Sequence, residues 1–239
     1  MNNLAKTKVG EIVASNYRTA TVLTAHHIDF CCNGGITLEE ACLGRSIPLE
    51  QVVAEIEESL KTPATENYSA LAPDELISII VNVHHKYIEG TLPALQVYLE
   101  KLSATHGERH PELLQIRDLI NDAAEEFMSH MNKEELVLFP YIMAMVEAQK
   151  GGFPLSRPHF GDIENPIRMM ETEHEYEGRR FEEIAELSGH YTCPPDGCQT
   201  YRVAYALLEE FEADLHKHIH LENNILFPAA RQMFNEFKS

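Results

Sequence analysis

The chain has 239 residues, 44% hydrophobic and 24% charged, which is enough apolar mass for a folded core and too much for a disordered chain. Asp and Glu outnumber Lys and Arg by 38 to 19, and the formal charge of -19 repels a phosphate backbone or an anionic bilayer, so neither nucleic acid nor membrane is an expected partner. No run of about 18 apolar residues occurs, the start MNNLAKTKVGEIV lacks a signal-peptide core, and five cysteines do not make an even disulfide framework; a soluble, cytoplasmic protein is expected.

Val9, Ile12, Val13, Tyr17 and Ala20 recur at helical spacing, as do Leu49, Val52, Val53, Ile56 and Leu60. Between them, Asp29-Phe30-Cys31-Cys32-Asn33-Gly34-Gly35 ends in turn residues, and Thr37 with Glu40 three positions on has the pattern of a capping box for a helix from Leu38 to Leu43. Residues 1–60 thus read as a small helical domain with vicinal cysteines. Its core would be marginal alone, so it is expected to dock on the rest of the chain or on a second subunit. Residues 61–73, with two prolines and small polar side chains, read as a linker. Over 74–239, segments at about 74–103, 110–149, 163–188 and 197–236 carry helical apolar spacing, broken at His110-Pro111, Gly151-Gly152 and the loop Cys193 to Cys198. No strand-like alternation competes, and the expected fold class is all-α, an antiparallel four-helix bundle preceded by the small helical domain.

The second and fourth segments share a pattern. His130 is followed by Glu134 and then Leu138-Phe139-Pro140; His218 is followed at the same spacing by Glu222 and then Leu226-Phe227-Pro228. The offset is constant, which marks a duplicated helical hairpin. Positions i and i+4 lie one turn apart on one helix face, so each imidazole and carboxylate aim at one point, and apolar neighbours such as Phe127, Met131, Leu215 and Ile219 turn that face inward. Two buried carboxylates meeting in one bundle would repel, and a cation resolves this. If the hairpin is duplicated, the first and third helices supply matching groups, His85 and His174, which precede their partners by similar distances. Four imidazoles and two carboxylates suit two ions bridged by both carboxylates, with open positions for a small ligand. Iron, zinc, copper and nickel all accept such donors. The ferritin-like pattern, with Glu-x-x-His and four carboxylates, differs.

With these motifs, residues 74–239 resemble hemerythrin-like domains, and nearly the whole chain resembles the iron-sulfur cluster repair family of di-iron proteins. The resemblance is carried by His27-Ile-Asp-Phe-Cys31-Cys32-Asn-Gly-Gly, by both His-x-x-x-Glu helices, by Glu173-His174-Glu175 and by His218-Ile-His-Leu-Glu222-Asn-Asn. It implies two iron ions per chain, bridged by Glu134 and Glu222 with His85, His130, His174 and His218 as terminal ligands. It also implies Cys31 and Cys32 as redox or iron-relay thiols, damaged iron-sulfur proteins as iron acceptors, oxygen or nitric oxide as small ligands, and a homodimer. The implied function is repair of clusters after oxidative or nitrosative damage, by iron donation. Rival readings are an oxygen or nitric-oxide carrier or sensor, a nitric-oxide reductase and a metal-free bundle. One departure is the adjacent pair His84-His85 in the first helix, where family members often carry a second His a few residues later.

The remaining residues of these types have plainer readings. His216 and His220 read as groups flanking the ligands, and Cys42 as packing. His106, His110, His159 and His190 fall at helix ends or loops and are expected in solvent, while Cys193 and Cys198 close a short loop that an oxidant could cross-link.

Overall fold

In the computed structural model, residues 4–61 and 67–238 are described; residues 62–66 of the expected linker, and residues 1–3 and 239, lie outside this range. Among the described residues the chain is helical and contains no strand, only an isolated bridge between Lys8 and Thr37. The helices are α1 (Val9–Ser15), α2 (Thr19–Ala25), α3 (Leu38–Gly44), α4 (Leu49–Ser59), α5 (Pro73–Ile79), α6 (Lys86–His106), α7 (Glu112–Lys133), α8 (Phe139–Gly151), α9 (Glu164–Leu187), α10 (Gln199–Leu221) and α11 (Phe227–Lys238). The four long segments read from periodicity are thus Pro73 to His106, Glu112 to Gly151, α9, and Gln199 to Lys238.

Three of these segments are interrupted by π turns, at Ile80–His85, Glu134–Leu138 and Glu222–Leu226. In the second and third, Phe139 N–H donates to Glu134 O and Phe227 N–H to Glu222 O, five residues back. The next residue is Pro140 or Pro228, which has no N–H to continue the ladder and whose ring crowds the carbonyl four residues earlier. Widening one turn absorbs the proline without breaking the helix, and such turns recur at functional sites. The Leu-Phe-Pro repeat therefore carries a backbone instruction as well as an apolar one. The first π turn has no adjacent proline, and nothing in its sequence marks it.

The chain forms two compact units. One, Ser78–Ala144 with Arg157–His216, is the bundle. Along α6 and α7, Gln96 bonds Asn121 at 3.0 Å and His85 bonds Glu135 at 2.7 Å, so numbers rise on one helix as they fall on the other. The same antiparallel register joins α7 to α9, through Glu126 with Arg180 and His130 with Glu173. It also joins the first segment to α10, through Tyr87 with Phe211 and His84 with Asp214. The four helices meet in an aromatic core: Phe211 stacks on Phe181 at 5.3 Å and meets Phe127 at 5.8 Å and Tyr87 at 6.1 Å.

The other unit holds the chain up to Ile77, Met145–Ser156 and the chain from Lys217 on. Its small helices bury Val9, Ile12, Val13, Leu23, Leu38, Val52 and Ile56. The capping box is present: Thr37 Oγ1 accepts from Glu40 N–H at 3.2 Å while the Glu40 carboxylate accepts from Thr37 N–H at 2.8 Å. α1 packs against the π turn Glu222–Leu226, with Gly10 beside the Asn224 side chain.

Candidate metal centre

In the bundle unit, Glu134 opens the π turn after α7 and is fully buried. His85 Nε2 lies 3.4 Å from one of its oxygens and His130 Nε2, one turn earlier, 3.2 Å from the other. His174 of α9 brings its Nε2 to 3.0 Å from that of His130, and the ligand atoms of His130, Glu134 and His174 all lie within 4.8 Å of one another. His84 is also buried, but its Nδ1 is 2.9 Å from Asp214 of α10, so of the adjacent pair it is His85 that faces Glu134.

The far side of each ring fixes what its near side offers. His85 Nδ1 is 2.7 Å from Glu135 Oε1 and His130 Nδ1 is 2.8 Å from Glu173 Oε2; Glu173 also pairs with Lys133. Burial alone would raise the Glu173 carboxyl, but the hydrogen bonds from His130 and Lys133 outweigh it and hold the group at about 2. A carboxylate can only accept, so both Nδ1 atoms donate and both Nε2 atoms turn lone pairs towards Glu134. Acceptors facing acceptors at 3.2 to 3.4 Å repel unless a cation lies among them. Adjacent donors each about 2.1 Å from a shared ion lie about 3 Å apart, the separation seen here. The donor set therefore fits a metal of imidazole and carboxylate preference.

Such outer carboxylates tune affinity by about 10- to 100-fold. Glu135→Gln and Glu173→Gln are each expected to weaken metal retention by that order with helix content unchanged, read by competition with a chelator; unaltered retention would show that the rings need no anchoring.

In the other unit, His218 at the end of α10 and Glu222 at the start of its π turn are buried, with Nε2 and Oε1 3.3 Å apart. This repeats the 3.2 Å pair of His130 and Glu134. The duplication diverges one position on, where Asn223 replaces the counterpart of Glu135. Asn223 Nδ2 reaches Cys31 O at 3.3 Å, and Asn224 Nδ2 reaches Phe30 O at 3.2 Å and Cys31 O at 3.1 Å. The residues after Glu222 thus grip the loop that carries the thiols. Gly10 and Gly34 make room: Gly10 N–H donates to Gly34 O at 2.9 Å, and a Cβ on Gly34 would lie 2.5 Å from Asn224 Oδ1.

Cys31 is buried and Cys32 half-buried, with sulfurs 3.7 Å apart and no disulfide. Asp29 organises the turn: its Oδ1 accepts from the N–H groups of Cys31 at 2.9 Å and Cys32 at 3.0 Å, and its Oδ2 from Asn33. The hydrogen bond to Cys32, burial, and the neighbouring Cys32 and Asp29 charges all push the Cys31 thiol up.

His220 is buried between Phe30 and Tyr17, with Nδ1 3.2 Å from Asn224 Nδ2. Burial lowers it to about 4 from 6.5. The unfolded chain then takes a proton that the folded chain refuses, so stability present above about 6.5 is lost as pH falls towards 4, by on the order of 3 kcal/mol. Urea unfolding of the metal-free protein at neutral pH and near pH 4.5 should show this loss, and His220→Gln should reduce it; an unchanged slope in the variant would count against a neutral buried His220.

Cys42 is buried as packing, His159 and His190 are exposed, and His110 and His216 are half-buried. Cys193 and Cys198 are not joined in a disulfide. The reading of His106 as a solvent histidine is corrected. It is buried, following Leu99 and Leu102 on the inner face of α6, with its ring edge-on to Tyr201 at 5.7 Å. Glu135 was not singled out in the sequence, and Glu173 and Asn224 entered only as members of the resembling motifs with no role assigned, although each sits beside or within two residues of an expected ligand.

Fold and site together define a hemerythrin-type cation-binding bundle joined to a small dithiol-bearing helical region. Residues 77–230 match the family described as hemerythrin HHE cation binding domain, and residues 5–60 match a domain of unknown function, DUF542. The chain is 33% identical over 227 residues to the iron-sulfur cluster repair protein YtfE of Musicola paradisiaca, covering 93% of this chain and 95% of that one. It is 31% identical to the iron-sulfur cluster repair protein ScdA of Staphylococcus haemolyticus, covering 92% and 95%, and to YtfE of Yersinia pestis, covering 93% and 95%. The chain belongs to this iron-sulfur cluster repair family of hemerythrin-like proteins.

Proposed function

We propose that the protein holds two iron ions and donates iron to iron-sulfur clusters damaged by oxidative or nitrosative stress. As the family resemblance implies, Glu134 and Glu222 would be the carboxylates shared by the two ions, with His85, His130, His174 and His218 as the terminal ligands. Bound iron supplies an exchangeable, redox-active cation. The observation that carries the reading is Glu134, fully buried between imidazole Nε2 atoms whose outer nitrogens are held by carboxylates. Glu135 and Glu173 orient the rings, Cys31 and Cys32 act as redox or relay thiols, and oxygen or nitric oxide would be the small ligand of the bound metal. The names of the relatives support cluster repair above simple oxygen carriage. A cytoplasmic homodimer completes the reading; no described helix is long and apolar enough to cross a membrane.

The test is recovery of a cluster enzyme inactivated by nitric oxide or peroxide. Iron-loaded protein should restore its activity, and metal-free protein should not. A Cys31→Ala, Cys32→Ala variant that restores activity as well as the parent would favour the carrier or sensor. Multiple-turnover nitrous oxide formation with no cluster recovery would favour the reductase.

A further inference from the structure

Outside the bundle, the described residues contain one further group with the donor types of a metal site: Asp29, Cys31 and Cys32, whose ligand atoms lie within 4.8 Å of one another. The two sulfurs are 3.7 Å apart and Asp29 Oδ1 is 3.3 Å from Cys31 Sγ. Metal–sulfur bonds of about 2.3 Å arranged tetrahedrally separate two sulfurs by about 3.8 Å, and a sulfur from a carboxylate oxygen by about 3.5 Å. The three atoms therefore already stand near three corners of one tetrahedron.

The backbone of the loop is held by its own set of hydrogen bonds. Asp29 Oδ1 takes the Cys31 and Cys32 N–H groups, Oδ2 takes Asn33, and the Cys31 carbonyl is gripped by Asn223 and Asn224, which follow Glu222 on the ligand helix. These contacts fix the backbone, and half-buried Cys32 leaves the group reachable from solvent.

We propose that Asp29, Cys31 and Cys32 form a second, three-ligand site for a single divalent first-row ion, with the fourth corner open to an incoming donor. Two sulfurs and one oxygen favour ferrous iron, zinc or cobalt over magnesium or calcium. Each coordinating thiol gives its proton to solvent, so loading one divalent ion releases two protons and transfers no electrons. An open corner lets the ion pass to another thiolate without first becoming free. Iron as the cargo rests on the donor reading above; the site itself does not.

The experiment is a cobalt(II) titration of the reduced, iron-loaded full-length protein under anaerobic conditions, read as difference spectra against the Cys31→Ser, Cys32→Ser variant. The expected result is a sulfur-to-cobalt charge-transfer band that saturates at one equivalent, absent from the double variant, with two protons released per ion. Asp29→Asn keeps an oxygen for the Cys31 and Cys32 N–H groups but removes the charge, and should weaken cobalt binding tenfold or more. Circular dichroism verifies that both variants are folded. A band that survives in the double variant, or an affinity unchanged by Asp29→Asn, would overturn the three-ligand site. Tight cobalt binding in a protein that passes no iron would leave the site standing and defeat only the donor reading.

Discussion

Replacing both Glu134 and Glu222 by Ala is expected to reduce iron from about two ions per chain to near zero and, in the same protein, to leave the metal-free fold at least as stable as the metal-free parent. Both side chains are fully buried, each beside a His Nε2 one helical turn earlier. An unneutralised buried carboxylate costs several kcal/mol, so these groups work against the fold until a cation joins them. Two opposite effects are therefore predicted from one substitution. Elemental analysis reads the first, and thermal unfolding with and without iron reads the second. The isosteric Glu134→Gln, Glu222→Gln pair separates charge from cavity: it should lose iron as fully while filling the same volume. A double Ala variant that keeps its iron, or that is destabilised by several kcal/mol only in its metal-free form, would contradict a site built around these carboxylates.

Gly34→Ala is the second large expectation. A Cβ there would lie 2.5 Å from Asn224 Oδ1, 2.6 Å from Phe30 O and 3.0 Å from Gly10 Cα. Two of these are backbone atoms that cannot swing aside, so the loop itself must move. Overpacking of this kind costs about 1 to 3 kcal/mol. The cost should appear as a lower urea midpoint and as faster reaction of Cys32 with a thiol reagent, because the loop is released from Asn223 and Asn224. Gly35→Ala is the control, since a Cβ there meets nothing within 4 Å. Equal behaviour of the two variants would show that the close approach does not hold the dithiol loop.

The helical segments and the pairing of buried His with buried Glu were legible because they rest on spacing. A His and a Glu four apart, repeated with Leu-Phe-Pro at a constant offset, carry their own geometry, and the breakers at His110-Pro111 and Gly151-Gly152 mark where the long segments end. The capping box of Thr37 and Glu40 was legible for the same reason. The outer carboxylates were not, because Glu135 and Glu173 act on rings of other helices and nothing local distinguishes them from solvated neighbours such as Glu175. The π turns were half-legible. Pro140 and Pro228 announce a disturbed helix, but whether the chain kinks, ends or widens depends on packing. Asn224 could have been suspected from the broken repeat, since an exposed Leu136 stands at the matching place in the first hairpin. That it grips the Cys31 loop is a long-range contact, as is the burial of His106 beneath Tyr201. The loop of Asp29 to Gly35 read correctly as a turn. The convergence of its carboxylate with two sulfurs needed coordinates.

The most direct measurement follows the metal itself. Protein loaded anaerobically with isotope-labelled iron would be mixed with an unlabelled iron-sulfur protein whose cluster has been damaged by nitric oxide, and the two would then be separated and analysed for label and for cluster absorbance. The expected result is label leaving the donor and appearing in the rebuilt cluster in matching amounts, with the transfer lost in the Glu134→Ala, Glu222→Ala protein. Cluster recovery with all the label still on the donor, or label released only to a chelator and never to the acceptor, would contradict iron donation.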